Sequence, residues 1–229
     1  MSEGIGKRLE EVRARIEAAK TDKSRDVTLI AVTKTHPPHI INEAIACGVC
    51  DIGENKVQEI LEKYDSVDPV RWHLIGHLQT NKVKYIIDKV CMIHSVDSKK
   101  LLDEINRQAK KHSIVMDVLL QVNITGEESK FGIKPEEIED MLLYASRLDS
   151  VRVQGLMTIL IKGDSEISTR LHFNDIYDKF IDFSLNKYDN VNMKYLSMGM
   201  SGDYELAVSC GSNMVRVGSA IFGARDYSI

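Results

Sequence analysis

The sequence predicts an α/β fold: a single (β/α)8 TIM barrel with an extra N-terminal helix, occupying residues 1–229 as one domain. Three observations carry that reading. Eight strand-like segments alternate with helical ones, a pattern that calls for a parallel sheet wrapped by helices. The length of 229 residues suits one barrel, whose usual size is about 250 residues. The residues capable of chemistry fall again and again just after the strand segments, where barrels build their sites.

The elements follow in order. Residues 2–20 place Ile5, Leu9, Val12 and Ile16 at helical spacing, which predicts an amphipathic helix ahead of the barrel. The first strand is Val27-Thr-Leu-Ile-Ala-Val-Thr33, a short run of β-formers that His36-Pro37-Pro38 brings to a stop. Seven more strands begin near Cys50, Trp72, Met92, Met116, Val151, Met193 and Met214. Helical patterns fill residues 38–48, 55–64, 80–89, 98–112, 135–149, 168–187 and 202–210. Asp97-Ser98, Lys134-Pro135 and Ser201-Gly202-Asp203 have the residue types that start helices. No linker, repeat or low-complexity stretch interrupts the series.

Composition narrows the function. Hydrophobic residues at 43% and charged residues at 28% describe an ordinary globular protein with one sizeable core. A net charge of -4 argues against a bulk nucleic-acid binder. No apolar run approaches the ~18 residues that span a membrane. Met1 to Lys20 is charged throughout and lacks an apolar targeting core, so a cytoplasmic location is expected. Cys47-Gly-Val-Cys50 has redox or half-zinc spacing, yet it closes a helix and enters a strand, the reverse of a thioredoxin-type motif. Cys91 and Cys210 are isolated and complete no zinc set. All four cysteines are expected to be buried and structural.

Lys34 lies at the C-terminal end of a buried strand. Apolar walls disfavour an ammonium there, and a neutral amine attacks a carbonyl to form a Schiff base. The competing reading is a solvated lysine that merely caps the strand. Strand 2 is read as ending in Asp51-Ile-Gly-Glu-Asn55, strand 7 in Leu196-Ser-Met-Gly-Met-Ser201 and strand 8 in Val215-Arg-Val-Gly-Ser219. In barrels, the loops after strands 7 and 8 often cradle a phosphate on backbone N–H groups. Gly199, Ser201, Gly218 and Ser219 supply the small residues and hydroxyls, and Arg216 adds fixed positive charge. Each piece alone reads as a turn. Together, opposite a Schiff-base lysine, they suggest pyridoxal 5′-phosphate, PLP. Asp51 and Glu54 are a possible acid/base pair without a particular signature. His73 and His77 have the i, i+4 spacing of metal-binding helices, but Trp72 to Ile75 reads as a strand, so no metal site is expected.

Three segments, Ala31-Val-Thr-Lys-Thr-His-Pro37, Gly53-Glu-Asn-Lys-Val-Gln-Glu59 and Trp72-His-Leu-Ile-Gly-His-Leu-Gln-Thr-Asn-Lys82, open a series that resembles the pyridoxal phosphate homeostasis proteins, the PROSC or YggS-like group. Then come His94-Ser-Val-Asp97, Gln121-Val-Asn-Ile124 with Ser129-Lys-Phe-Gly132, and Gly155-Leu-Met157. Leu196–Ser201 and Val215-Arg-Val-Gly-Ser-Ala-Ile-Phe-Gly223 close the series, which runs the length of the chain. The resemblance implies a barrel like the N-terminal domain of alanine racemase, with PLP held covalently on Lys34. It implies phosphate contacts from Ser201 and the backbone of Gly218 and Ser219, and places Asn55 near the ring. Arg216 matches the Arg-x-Gly arginine that faces the pyridine nitrogen in racemases; here the pyridine nitrogen and the phosphate are both open to it. Lys56 and His77 depart from the family pattern, and neither is expected to touch the lysine or the cradle.

The implied function is a PLP carrier or buffer that supports vitamin B6 and amino-acid balance without substrate turnover. An arginine against the ring nitrogen opposes the protonation that makes PLP an electron sink. The chain ends at Ile229, six residues after the last motif, so no second domain is expected to complete a racemase site. Two alternatives remain: a PLP-dependent racemase or lyase using Lys34, and a cofactor-free Schiff-base aldolase. PLP-dependent apo-enzymes are the possible recipients, and a monomer or weak dimer is implied.

Overall fold

The computed structural model describes residues 2–127, 130–160 and 165–223. Ser129, Glu128 and Ile229 lie outside the described residues. Eight strands form one closed parallel barrel: β1 Thr28–Val32, β2 Asp51–Glu54, β3 Arg71–Leu74, β4 Met92–Val96, β5 Met116–Gln121, β6 Val151–Met157, β7 Val191–Met200 and β8 Met214–Val217. Closure comes from β1 pairing with β8, Ile30 opposite Arg216. The predicted barrel is therefore the fold.

Helices fill the connections: α1 Ser2–Ala19, α2 Pro38–Ala46, α3 Val57–Lys63, α4 Lys99–Lys111, α5 Ile138–Ala145, α6 Glu166–Ser184, α7 Tyr204–Ser209 and α8 Ser219–Phe222. Pro38 sits at the first position of α2, where its missing N–H costs nothing. Ser98 caps α4 by accepting from the Leu101 N–H. The helical pattern over 80–89 becomes a 3-10 turn, Thr80–Tyr85, because its N–H groups bond three residues back, as Ile86 does to Val83. The pattern over 135–149 opens as a 3-10 turn at Pro135–Glu137 before α5 begins. Ile5, Leu9, Val12 and Ile16 are all buried, so α1 presents the predicted face to α7 and α8. None of the described helices is long and apolar enough to cross a membrane.

Two cores result. The larger lies between sheet and helices and holds Ile41, Leu102, Ile105, Leu142, Phe173 and Ile176. The smaller holds Ile30, Met92, Leu119, Met157 and Met214 inside the barrel. On β4 and β8, side-chain alternation puts His94 on the same face as Met92, and Arg216 on the same face as Met214. Barrel interiors are usually layered with Val, Ile and Leu. This one carries a buried polar column among its few apolar side chains.

Candidate functional site

The C-terminal mouth of the barrel opens into a cavity of about 1040 Å³. Lys34, Asn55, Ser201, Arg216, Gly218 and Ser219 all line it, so the fold brings every predicted site residue together. Lys34 lies two residues beyond β1 and is half-buried. Asn55 follows β2 directly. Gly76 keeps that spot close-packed, since a Cβ there would meet the Asn55 carbonyl oxygen at 2.4 Å.

Ser201 follows β7, and its Oγ accepts from the Gly218 N–H at 3.0 Å and the Ala220 N–H at 3.5 Å. Two backbone donors thus converge on one oxygen position at the rim. A phosphate oxygen seeks N–H groups at this range, and would use these two by taking the place that the Ser201 hydroxyl occupies. Gly199 makes the approach possible. Its φ is +95°, and a Cβ there would meet the Ala207 Cβ at 2.6 Å, so α7 packs onto β7 only over a glycine. The start of α7 is fastened by the Met200 N–H donating to Asp203 Oδ1 at 2.6 Å. Burial pushes the Asp203 carboxyl up, partly offset by that N–H and by Arg216.

The loop that carries Lys34 is anchored from outside the sheet. Lys63 on α3 donates to Glu54 Oε1 at 2.8 Å, Glu59 Oε2 at 2.9 Å and the Thr33 carbonyl at 3.2 Å. Thr33 Oγ1 donates to Glu54 Oε1 at 2.7 Å, and the Thr35 N–H donates to Glu59 Oε2 at 2.7 Å. Both neighbours of Lys34 are therefore held. Thr35 takes a left-handed φ of 69°, a strained conformation for a β-branched residue. Burial raises the Glu54 carboxyl, with Lys63 opposing. Burial also pushes Glu59 up, but the Thr35 N–H and Lys63 outweigh it and hold Glu59 low.

Arg216 is anchored from inside. Its side chain is buried, donating to Ser197 Oγ at 2.6 Å and the Thr158 carbonyl at 2.9 Å. Burial lowers the guanidinium to about 10, with Asp203 opposing. Behind Ser197 the contacts continue: His94 Nδ1 at 3.2 Å, His94 Nε2 to His73 Nδ1 at 3.0 Å, and His73 Nε2 to Asp51 Oδ1 at 2.9 Å. Asp51 also takes two hydrogen bonds from Arg71, at 2.7 and 2.6 Å.

Some expectations need correction. Asp51 and Glu54 are not a pair. Asp51 begins β2 rather than ending it, so the two carboxylates lie at opposite ends of the strand. Burial pushes Asp51 up, but hydrogen bonds from His73 and Arg71 outweigh it and hold it below its ordinary range. His77, expected to touch neither the lysine nor the cradle, lines the same cavity and stacks on Phe131, ring centroids 3.7 Å apart. His73 points into the barrel and His77 sits in the loop beyond β3, and among the described residues no group of His, Cys, Asp and Glu forms a metal cluster. Of the cysteines only Cys210 is buried; Cys47 is half-buried, and Cys50 and Cys91 are exposed. Cys50 and Cys91 precede strands at the open N-terminal end of the barrel, where packing is incomplete. The Ser197–His94–His73 column was missed. Its signal was the pair of polar residues, His94 and Ser95, inside the otherwise apolar β4, with His94 two positions from Met92 and so on the same face.

The profile of the family "Alanine racemase, N-terminal domain" matches residues 8–226. A pyridoxal phosphate homeostasis protein of Aquifex aeolicus is 42% identical, covering 96% of this chain and 98% of its own. That of Escherichia coli K12 is 36% identical, covering 98% of each. Among solved structures, PipY of Synechococcus elongatus with PLP bound has a TM-score of 0.84 at 33% identity, covering 96% of this chain and 100% of its own. An alanine racemase of Clostridium difficile shares the fold, with a TM-score of 0.71 at 16% identity, covering 97% of this chain and 58% of its own.

Proposed function

The chain belongs to the alanine racemase N-terminal domain family and, within it, to the pyridoxal phosphate homeostasis proteins, and on that premise we propose that it binds PLP on Lys34 and carries or buffers it. One observation supports the reading above the rest: a lysine, a buried arginine and converging backbone donors share one cavity at the barrel's C-terminal mouth. PLP-bound PipY, similar over nearly the whole chain, supports the cofactor. PLP supplies an aldehyde that a lysine amine holds as a Schiff base, with loss of water, and a phosphate that seeks N–H donors.

In this reading Lys34 Nζ is the covalent anchor. Ser201 and the N–H groups of Gly218 and Ser219 hold the phosphate. Asn55 flanks the ring, and Arg216 holds a positive charge at the floor of the cavity. A cation set against a pyridine nitrogen opposes its protonation and weakens electron-sink chemistry. That favours holding PLP over turning substrate, with PLP-dependent apo-enzymes as recipients and a monomer or weak dimer as the working form.

The test begins with the visible spectrum of the purified protein given PLP, followed by borohydride reduction and peptide mapping. A yellow band with the label on Lys34 is expected. Label scattered over surface lysines sinks the assignment. Racemase assays on several amino acids at high protein concentration then separate carrier from enzyme: turnover well above free PLP overturns the carrier reading.

A further inference from the structure

The barrel interior holds more polar structure than a floor for the cofactor needs. From Arg216 the contacts run through Ser197, His94 and His73 to Asp51 and end at Arg71, whose side chain is 62% exposed. Asp51, Arg71 and His73 line a second cavity, of about 470 Å³, toward the strands' N-terminal ends. The column therefore crosses the barrel from one mouth to the other.

We propose that Asp51, His73, His94 and Ser197 are positioning residues for Arg216, joined in a one-way chain of hydrogen bonds that fixes the arginine's place under the cofactor. The proposal rests on the PLP reading above and extends it to residues that do not touch the cavity's ligand.

The direction follows from donor and acceptor chemistry. Arg216 only donates, so Ser197 Oγ accepts from it. The Asp51 carboxylate takes two bonds from Arg71 and only accepts, so His73 must present Nε2–H to it. A neutral His73 then has a bare Nδ1, which requires Nε2–H on His94. His94 in turn has a bare Nδ1 and takes the Ser197 hydroxyl proton. With His73 neutral, every group between the two arginines is satisfied in this arrangement. The reverse arrangement sets a bare His73 nitrogen 2.9 Å from a carboxylate, two acceptors facing each other. Burial, above all, lowers His94 well below its ordinary value, and the nearby Arg216 charge acts the same way, so it stays neutral as the chain requires. The carboxylate at one mouth thus dictates two histidine tautomers and the rotation of a hydroxyl at the other.

The first measurement needs no variant. Long-range proton–nitrogen spectra of the ¹⁵N-labelled protein without PLP should show His73 and His94 neutral at pH 8, both with the proton on Nε2. A proton on Nδ1 of either ring overturns the proposal. Asp51→Asn should then lose the single tautomer of His73 and bind PLP about two- to tenfold more weakly, the worth of one net hydrogen bond. Asp51→Glu should restore part of both. Should Asp51→Asn fail to fold, Ser197→Ala cuts the chain elsewhere: both tautomers should persist while PLP affinity falls by a similar factor. Unchanged affinity in Ser197→Ala, or unchanged tautomers in a folded Asp51→Asn, overturns it. Wild-type protein with the stated tautomers but no PLP binding would sink the cofactor reading and leave the column supported. Tight PLP binding with other tautomers would do the opposite.

Discussion

Lys34 and Arg216 face the same cavity, but the molecule supports them in opposite ways. The loop of Lys34 is held from outside the sheet by charges: Lys63 between Glu54 and Glu59, gripping Thr33 and Thr35 on either side of the lysine. Arg216 is held from inside the barrel by a hydroxyl and two imidazoles that lead to Asp51. The difference teaches what each position requires. A loop has no ladder of strand hydrogen bonds, so strong charge-assisted bonds replace it. A strand residue already has its backbone in register and needs only its side chain aimed, which a neutral chain does without adding buried charge.

Breaking the outer support should have the largest effect. Lys63→Met strands Glu54, whose side chain is fully buried, and should cost about 3–5 kcal/mol in urea unfolding at pH 7. Lys63→Met with Glu54→Gln should recover much of that loss. A single-variant loss below about 1 kcal/mol would show that the ion cluster is not the support described.

Next comes the division of labour toward PLP. Lys34→Ala should abolish the borohydride-reducible link yet retain non-covalent binding, read by equilibrium dialysis. Arg216→Met should keep the link and weaken affinity by about 1.5–3 kcal/mol, the value of a charge-assisted contact. Equal and complete loss in both variants would erase the distinction between anchor and floor.

The inner support can be read from pH. His94 has its folded pKa lowered, mainly by burial and then by His73 and Arg216. Its contribution is fully present above the unfolded value of 6.5 and is lost as pH falls below it, because only the unfolded chain takes up the proton. Below pH 6.5 this group alone should lower stability by about 1.4 kcal/mol per pH unit. His94→Gln should flatten the stability curve there by close to one proton; an unchanged slope would remove His94 as its source.

The smallest effect concerns strain. Thr35→Gly relieves a left-handed φ of 69° and should stabilise the fold by about 0.5–1 kcal/mol, after the entropy that glycine adds to the unfolded chain. A loss of stability instead would mean that the threonine side chain supports the turn.

The amphipathic face of α1, the eight strands and the position of Lys34 just past β1 were all legible along the chain. Each rests on local periodicity, or on a proline or glycine a few residues away. That the six candidate residues share one cavity was legible for a similar reason: each lies at or just past the C-terminal end of a strand, and a closed parallel barrel sends all such positions to one mouth. The limits of locality appear in β2. Its start near Cys50 was legible, but reading Asp51-Ile-Gly-Glu-Asn55 as the strand's end grouped Asp51 with the wrong mouth of the barrel.

The column was decided by tertiary structure alone. Asp51, His73, His94, Ser197 and Arg216 come from five strands. Their hydrogen bonds depend on register across the sheet, including the shifts between β7 and β8 that set Met200 opposite Arg216. The outer cluster has the same origin, since Thr33 and Thr35 meet Glu54, Glu59 and Lys63 only when β2 pairs with β1 and α3 packs against β2. Burial and pairing then set these groups' charges: burial raises Glu54 and lowers His94, while hydrogen bonds from His73 and Arg71 hold Asp51 low against burial. By itself, the sequence determined which residues reach the mouth, because strand alternation and chain order are local properties. Packing decided what holds those residues and in what protonation state, because desolvation and donor–acceptor pairing arise only between segments distant in the chain.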